Sequence, residues 1–207
     1  MLHDTKVLDR QRRELIPLFD SLKKDFYLAG GTALALILGY RESVDFDFFS
    51  EQSFDTVKLY IRLQDIFKQK TIKKIQEEEG TLTILVDDIK ISFFSYPYKI
   101  LEPFIETDHM KLASLVDIGC MKLSAIASRS TIRDYVDLYF ILQQKTLDEL
   151  LSGCLRKYPQ LDTMLILKSL VYFNDIEIVP LRFMPQKEVT VEDLKKYFQS
   201  QVKTHLK

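Results

Sequence analysis

Residues 26–49 read FYLAGGTALALILGYRESVDFDFF, and two changes of period inside this stretch decide the fold. The apolar run 26–29 halts at Gly30-Gly31, and Thr32 leads into Ala33-Leu-Ala-Leu-Ile-Leu38, which is apolar nearly all round and therefore expected as a buried helix. Gly39 stands where the helix must close, since glycine accepts the left-handed conformation that helix ends adopt. From 44 to 49 the period becomes two: Asp45 and Asp47 alternate with Phe46 and Phe48, the pattern of a strand with carboxylates on one face and aromatics on the other. Strand, glycine turn, buried helix and strand together open an α+β domain.

Working outward, Leu8, Leu15, Leu18, Phe19 and Leu22 share a helical stripe over 8–22, with Pro17 ending or kinking it. On the other side, 53–68 returns to helical spacing through Val57, Ile61 and Phe67, with Ser53 as a cap. Three β-like runs follow at 71–78, 81–86 and 89–95, separated by Gly80 and by the turn pair Asp87-Asp88, which predicts an antiparallel meander. Tyr96-Pro97-Tyr98 terminates it, because proline cannot donate to a ladder. Beyond about 110 strand signals almost vanish and hydroxyl-x-x-acid caps recur at Ser114/Asp117, Thr146/Glu149 and Thr190/Asp193. Helices are expected over 114–128, 131–144, 147–157, 161–173 and 191–205, dividing the chain into an α/β core, 1–108, and a helical region, 109–207.

The composition, 46 % hydrophobic and 29 % charged over 207 residues, is that of a globular protein and not of a disordered one. Because 29 Lys and Arg face 30 Asp and Glu, no global basic field attracts nucleic acid. Such a partner would have to meet a local patch at Lys23-Lys24, at 68–74 or at Lys195-Lys196, each of which also reads as a solvated face. Cys120 and Cys154 lack the spacing of a metal knuckle or redox pair and read as buried apolar residues, while His3, His109 and His205 lack the partners of a zinc site or triad. Phe93, Phe94, Tyr96 and Tyr98 could stack a base, although their alternation is that of a core strand. With no leader-like apolar block and no membrane-length apolar run, a cytoplasmic protein without membrane contact is expected.

Two aspartates one residue apart on a strand lie on one face, about 6–7 Å apart along the backbone, so both carboxylates can converge on one or two hard cations, magnesium or manganese. Phosphoryl-transfer sites use such ions. Asp-x-Asp alone is also a common, innocent pattern of exposed strands. Here Gly30-Gly31-Thr32 stands upstream, where glycine admits a phosphate to the backbone and the helix start supplies free N–H groups. A dinucleotide fingerprint is excluded by the missing third glycine.

The segments Leu28-Ala-Gly-Gly-Thr-Ala-Leu-Ala-Leu36 and Arg41-Glu-Ser-Val-Asp-Phe-Asp-Phe-Phe49 resemble motif I of the AbiEii/AbiGii nucleotidyltransferase toxins, within the DNA polymerase β-like superfamily. Lys122-Leu-Ser-Ala-Ile-Ala-Ser-Arg129 and Arg133-Asp-Tyr-Val-Asp-Leu-Tyr-Phe140 resemble that family's later Lys- and Asp-containing motifs, so the likeness spans 26–143. It implies a small mixed sheet with flanking helices, metal at Asp45 and Asp47, and NTP phosphates near Gly30, Gly31 and Thr32. Lys122 would contact the nucleotide or neutralise its phosphates, and Arg41 and Ser43 would border the pocket. Asp134 or Asp137 would serve as base or as orienting partner of Lys122; the plainer reading of Arg129, Arg133, Asp134 and Asp137 is an intrahelical charge network. The implied activity moves NMP from an NTP to a hydroxyl, on RNA such as tRNA, in a toxin–antitoxin or phage-defence setting with a cognate antitoxin. One departure stands out: where polymerase β-like enzymes place a third acid, the best-matching position is Ser92, so either another acid completes the site or activity is reduced. Two other readings remain open at this stage. One is a catalytically silent module that binds a partner protein or RNA. The other is a glycosyltransferase, which leaves the second block unexplained.

Overall fold

The computed structural model describes residues 2–129 and 131–207. Its elements are α1 (Asp4–Val7), α2 (Arg10–Leu15), a 3-10 helix (Ile16–Leu22), β1 (Tyr27–Ala29), α3 (Gly30–Leu38), β2 (Phe46–Ser50) and α4 (Thr56–Ile66). There follow β3 (Ile72–Glu78), β4 (Thr81–Val86), β5 (Ile89–Ser95), β6 (Ile105–Glu106), β7 (Lys111–Leu112), α5 (Leu115–Ser128), α6 (Ile132–Ile141), α7 (Leu147–Lys157), α8 (Thr163–Val171) and α9 (Val191–His205). Seven strands form one mixed sheet in the order β3-β4-β5-β2-β1-β7-β6. The meander β3-β4-β5 is antiparallel, β5 runs parallel to β2, β2 antiparallel to β1, and β1 parallel to β7.

The period-two pattern of β2 does what it predicts. Phe46 and Phe48 are buried, with Phe19 of the 3-10 helix edge-on to both at 5.0 Å between ring centroids, and Phe48 stacks on Phe93 of β5 at 5.4 Å. This aromatic face is closed by the 3-10 helix and by α4, and Phe67, the residue just after α4, approaches Phe19 at 6.3 Å. The predicted opening helix is broken where Pro17 stands: α-helix gives way after Leu15, and Pro17 occupies the first turn of the 3-10 segment, where its missing N–H is harmless.

Three expectations are corrected. α4 is capped by Asp55, which accepts the Lys58 N–H, and not by Ser53. It buries Leu59, Leu63 and the adjoining Phe67, four residues apart, whereas Val57 and Ile61 are 60 % and 61 % exposed. The sheet also continues past the stop at Pro97 and just beyond 110, where strand signals almost vanish, since β6 and β7 extend it beyond β1.

The five later helices fall close to their expected spans, and Thr146/Glu149 and Thr190/Asp193 form reciprocal capping boxes. α5 packs against α3, α6, α7 and α8. Near its start, Asp117 pairs with Lys157 of α7 at 2.8 Å, both side chains fully buried, and accepts N–H groups from Leu101 and Glu102. Among the described residues, no helix is long and apolar enough to cross a membrane.

Candidate functional site

Asp47 lies in β2 between Ala29 of β1 and Ser92 of β5, and Asp45 stands just before the strand begins. β1 ends directly in α3, so Gly30 must turn the chain from extended to helical within one residue. It does so at φ 68°, a left-handed conformation that disfavours any side chain. A Cβ there would sit 3.4 Å from Asp47 Oδ2, which measures how near the carboxylate comes to the backbone. At Gly31 the demand is space: a Cβ would fall 2.3 Å from Nη2 of Arg41.

That guanidinium is buried and fixed. Arg41 donates from Nε to Asp137 Oδ1 at 2.8 Å and from Nη2 to Oδ2 at 3.0 Å, while Tyr40 donates its hydroxyl to the same carboxylate. Lys122 of α5 bridges Asp137 and Asp134 of α6 at 2.6 and 2.8 Å, and Arg129 closes the far side of Asp134 at 3.0 Å. The charges are paired between α5, α6 and the segment after α3, so the network is not the intrahelical one of the plainer reading. Burial would raise the Asp137 carboxyl, but Lys122 and Arg41 outweigh it and hold the group well below the usual range. Burial would likewise lower Lys122, and its two aspartates reverse the shift, so it stays an ammonium.

Thr32 shares a 2.7 Å hydrogen bond with Ser43 and donates to the Asp45 carbonyl, tying the first turn of α3 to the approach of β2. Asp45 Oδ2 lies 2.8 Å from Nζ of Lys90 on β5. The Asp47 carboxyl is pushed up, first by burial and then by Asp45, against the pull of Lys90, Lys122 and the Ser92 hydroxyl. It is a carboxylate short of positive charge. Two carboxylates so placed could hold one hard cation that takes its other ligands from outside the chain. Among the described residues, no group of three or more His, Cys, Asp or Glu is arranged to hold an ion alone.

The structure therefore brings Gly30, Gly31, Thr32, Arg41, Ser43, Asp45, Asp47, Lys122, Asp134 and Asp137 into one run of contacts. Ser92, the best match to a third acid, is indeed the cross-strand neighbour of Asp47, and it is a neutral hydroxyl. Asp87 and Asp88 are turn residues with positive φ, remote from any ligand role. Sequence reasoning missed Lys90 and Tyr40. Lys90 was findable, because it precedes Ser92 by two and so shares its face. A cleft of about 510 Å³, lined by Phe26, Tyr27, Phe54, Lys58, Arg62 and Lys111 among others, opens at the other end of β1 and β2 and contains none of the candidate residues.

Residues 18–203 match the family model described as "Nucleotidyl transferase AbiEii toxin, Type IV TA system". An uncharacterised protein of Aquifex aeolicus (strain VF5) is 36 % identical over 207 residues, covering 96 % of this chain and 98 % of its own length. The fold is similar to that of MenT4, a nucleotidyltransferase toxin of Mycobacterium tuberculosis H37Rv, with TM-score 0.61 and 12 % identity over 93 % of this chain and 80 % of that one. It is also similar to the Megavirus polyadenylate synthase, with TM-score 0.50 and 19 % identity over 70 % of this chain, which spans only 35 % of that longer protein.

Proposed function

Because the chain belongs to the AbiEii nucleotidyl transferase toxin family, a family of nucleotidyltransferases, we propose that its Asp45/Asp47 site moves NMP from a magnesium-bound NTP to a hydroxyl of RNA, such as a tRNA end. The observation that carries this reading is Asp47 itself. A carboxylate raised by burial and by Asp45, against the turn at Gly30, lacks the positive charge that a cation brings. When bound, that cation neutralises the triphosphate and polarises the phosphorus under attack.

The chain's own residues do the rest. The free N–H groups at the start of α3 face phosphate oxygens, and Gly30 and Gly31 let those oxygens approach. Thr32 and Ser43 hold the helix start and Asp45 in register. Lys122 supplies positive potential from behind Asp47, with Asp137 and Asp134 fixing its position. Of the two roles left open for Asp134 and Asp137, orientation of Lys122 suits their burial and pairing better than proton abstraction: the depressed carboxyl of Asp137 is a poor base, and Asp134 is buried between Lys122 and Arg129. A toxin's role in the cell, with an antitoxin as partner, is part of the same proposal.

The test incubates the protein with labelled NTPs, magnesium and total cellular RNA beside the Asp45→Ala/Asp47→Ala double variant. Label on RNA with wild type alone supports the proposal. No label and no NTP binding by folded wild type would leave the silent binding module, the reading that the neutral Ser92 favours.

A further inference from the structure

We propose that this site holds a single divalent cation, the ammonium of Lys90 standing where a second would sit. The inference rests on the nucleotidyl-transfer reading and concerns how charge is supplied to it. β2 and β5 are parallel neighbours in the register Phe46↔Ile91 and Asp47↔Ser92. Continuing that register by one residue sets Asp45 against Lys90, so Asp45, Asp47, Lys90 and Ser92 form a square on one face of the sheet. Two corners carry negative charge, one is a fixed positive charge, and the fourth is neutral.

Each corner bears on the number of ions. A two-metal site places its cations about 3.5–4 Å apart and needs carboxylate oxygens on both. Here Oδ2 of Asp45 already accepts Lys90 at 2.8 Å, and a divalent ion brought to that oxygen would lie against the ammonium. The carboxylate that could balance a second ion is missing, because its position beside Asp47 is taken by Ser92, a buried neutral hydroxyl that also lies 3.4 Å from that of Thr83. Asp47, the electron-rich corner nearest the glycine turn, is left for the one ion that arrives with the nucleotide phosphates. Lys90 is thus a positioning residue. It orients Asp45 and presents a permanent positive charge beside the transferring phosphate.

The experiment counts ions. Mn²⁺ is titrated into the full chain with α,β-methylene-ATP, and bound Mn²⁺ is read by electron paramagnetic resonance. Wild type should bind one per chain, Ser92→Asp still one, and Ser92→Asp/Lys90→Gln two. Two ions on wild type or on Ser92→Asp, or one on the double variant, would overturn the inference. No Mn²⁺ retained by wild type with nucleotide would overturn the nucleotidyl-transfer reading, and the inference with it. Should the buried aspartate prevent folding, Lys90→Gln alone decides: Mn²⁺ without nucleotide should bind tighter by on the order of tenfold, and Lys90→Arg should leave affinity unchanged. Equal affinity of wild type and Lys90→Gln overturns the proposal.

Discussion

Asp47 carries a cost in the protein without ligand. Its folded pKa stands above the ordinary value because burial and Asp45 oppose ionisation, so at pH values between the two the native chain keeps a proton that the unfolded chain has released. Its contribution is fully favourable below about pH 4, the usual Asp value, and is lost as pH rises through the raised folded value. Asp137 has the opposite sign: held low by Lys122 and Arg41, it stabilises the fold above the usual Asp value and that contribution is lost only as pH falls toward its depressed folded value. Asp47→Asn is therefore expected to raise the melting temperature of metal-free protein at pH 7 while NMP transfer drops by about a hundredfold or more; calorimetry and the labelling assay measure the two. An unchanged or lower melting temperature would count against the electrostatic account. Gly31→Ala tests the other wall. Its Cβ meets a guanidinium that Asp137 holds by two bonds, so the side chain cannot swing away, and the overpacking should cost about 1–3 kcal/mol in urea unfolding. Asp45, Asp47 and the glycines were legible because local spacing displays them. Lys90 is legible only in part: its spacing from Ser92 gives its face, but its pairing with Asp45 depends on which strand lies beside β2, and parallel neighbours cannot be read from a single run of residues.

Elements were legible in proportion to their length and regularity. β3, β4 and β5 are β-like runs of six or seven residues between clear turn signals, and α7 and α9 announce themselves by capping boxes; all five lie within a residue of expectation. β6 and β7 have two residues each, too few to show a period, and exist because β1 leaves an edge to be paired. α4 was found but its face was misread. Val57, Ile61 and Leu59, Leu63 are two i,i+4 pairs about 200° apart on the helix, and only packing decides which meets the sheet. The decision has a measurable consequence. Leu63→Ala should cost about 2–5 kcal/mol through the cavity left under the aromatic face, whereas Ile61→Ala should stay within about 0.5 kcal/mol. Comparable losses for both variants in denaturant titrations would show that the exposed face of α4 is covered by something further.

At the scale of the molecule, α5 joins the two buried charge clusters. Lys122 faces the candidate site with Asp134 and Asp137, and five residues earlier, about 7.5 Å along the axis, Asp117 pairs with Lys157 of α7. The second cluster touches none of the candidate residues. Asp117 gathers the Leu101 and Glu102 N–H groups and the Ser114 hydroxyl, and Lys157 also donates to the Lys99 carbonyl, so the segment leaving the sheet is fastened to the helices by charge. These groups are satisfied on every side, which makes the cluster a clamp. Removing one partner leaves a buried charge uncompensated, and Lys157→Met is expected to cost about 3–5 kcal/mol. Activity supplies the discriminating measurement. If the clamp only fixes the fold, the rate of transfer per folded molecule should match wild type at a temperature where both are native, since Lys122 keeps its own partners. A rate that falls while the folded fraction remains full would instead mean that α5 transmits the state of one cluster to the other, and would make the clamp part of the catalytic apparatus.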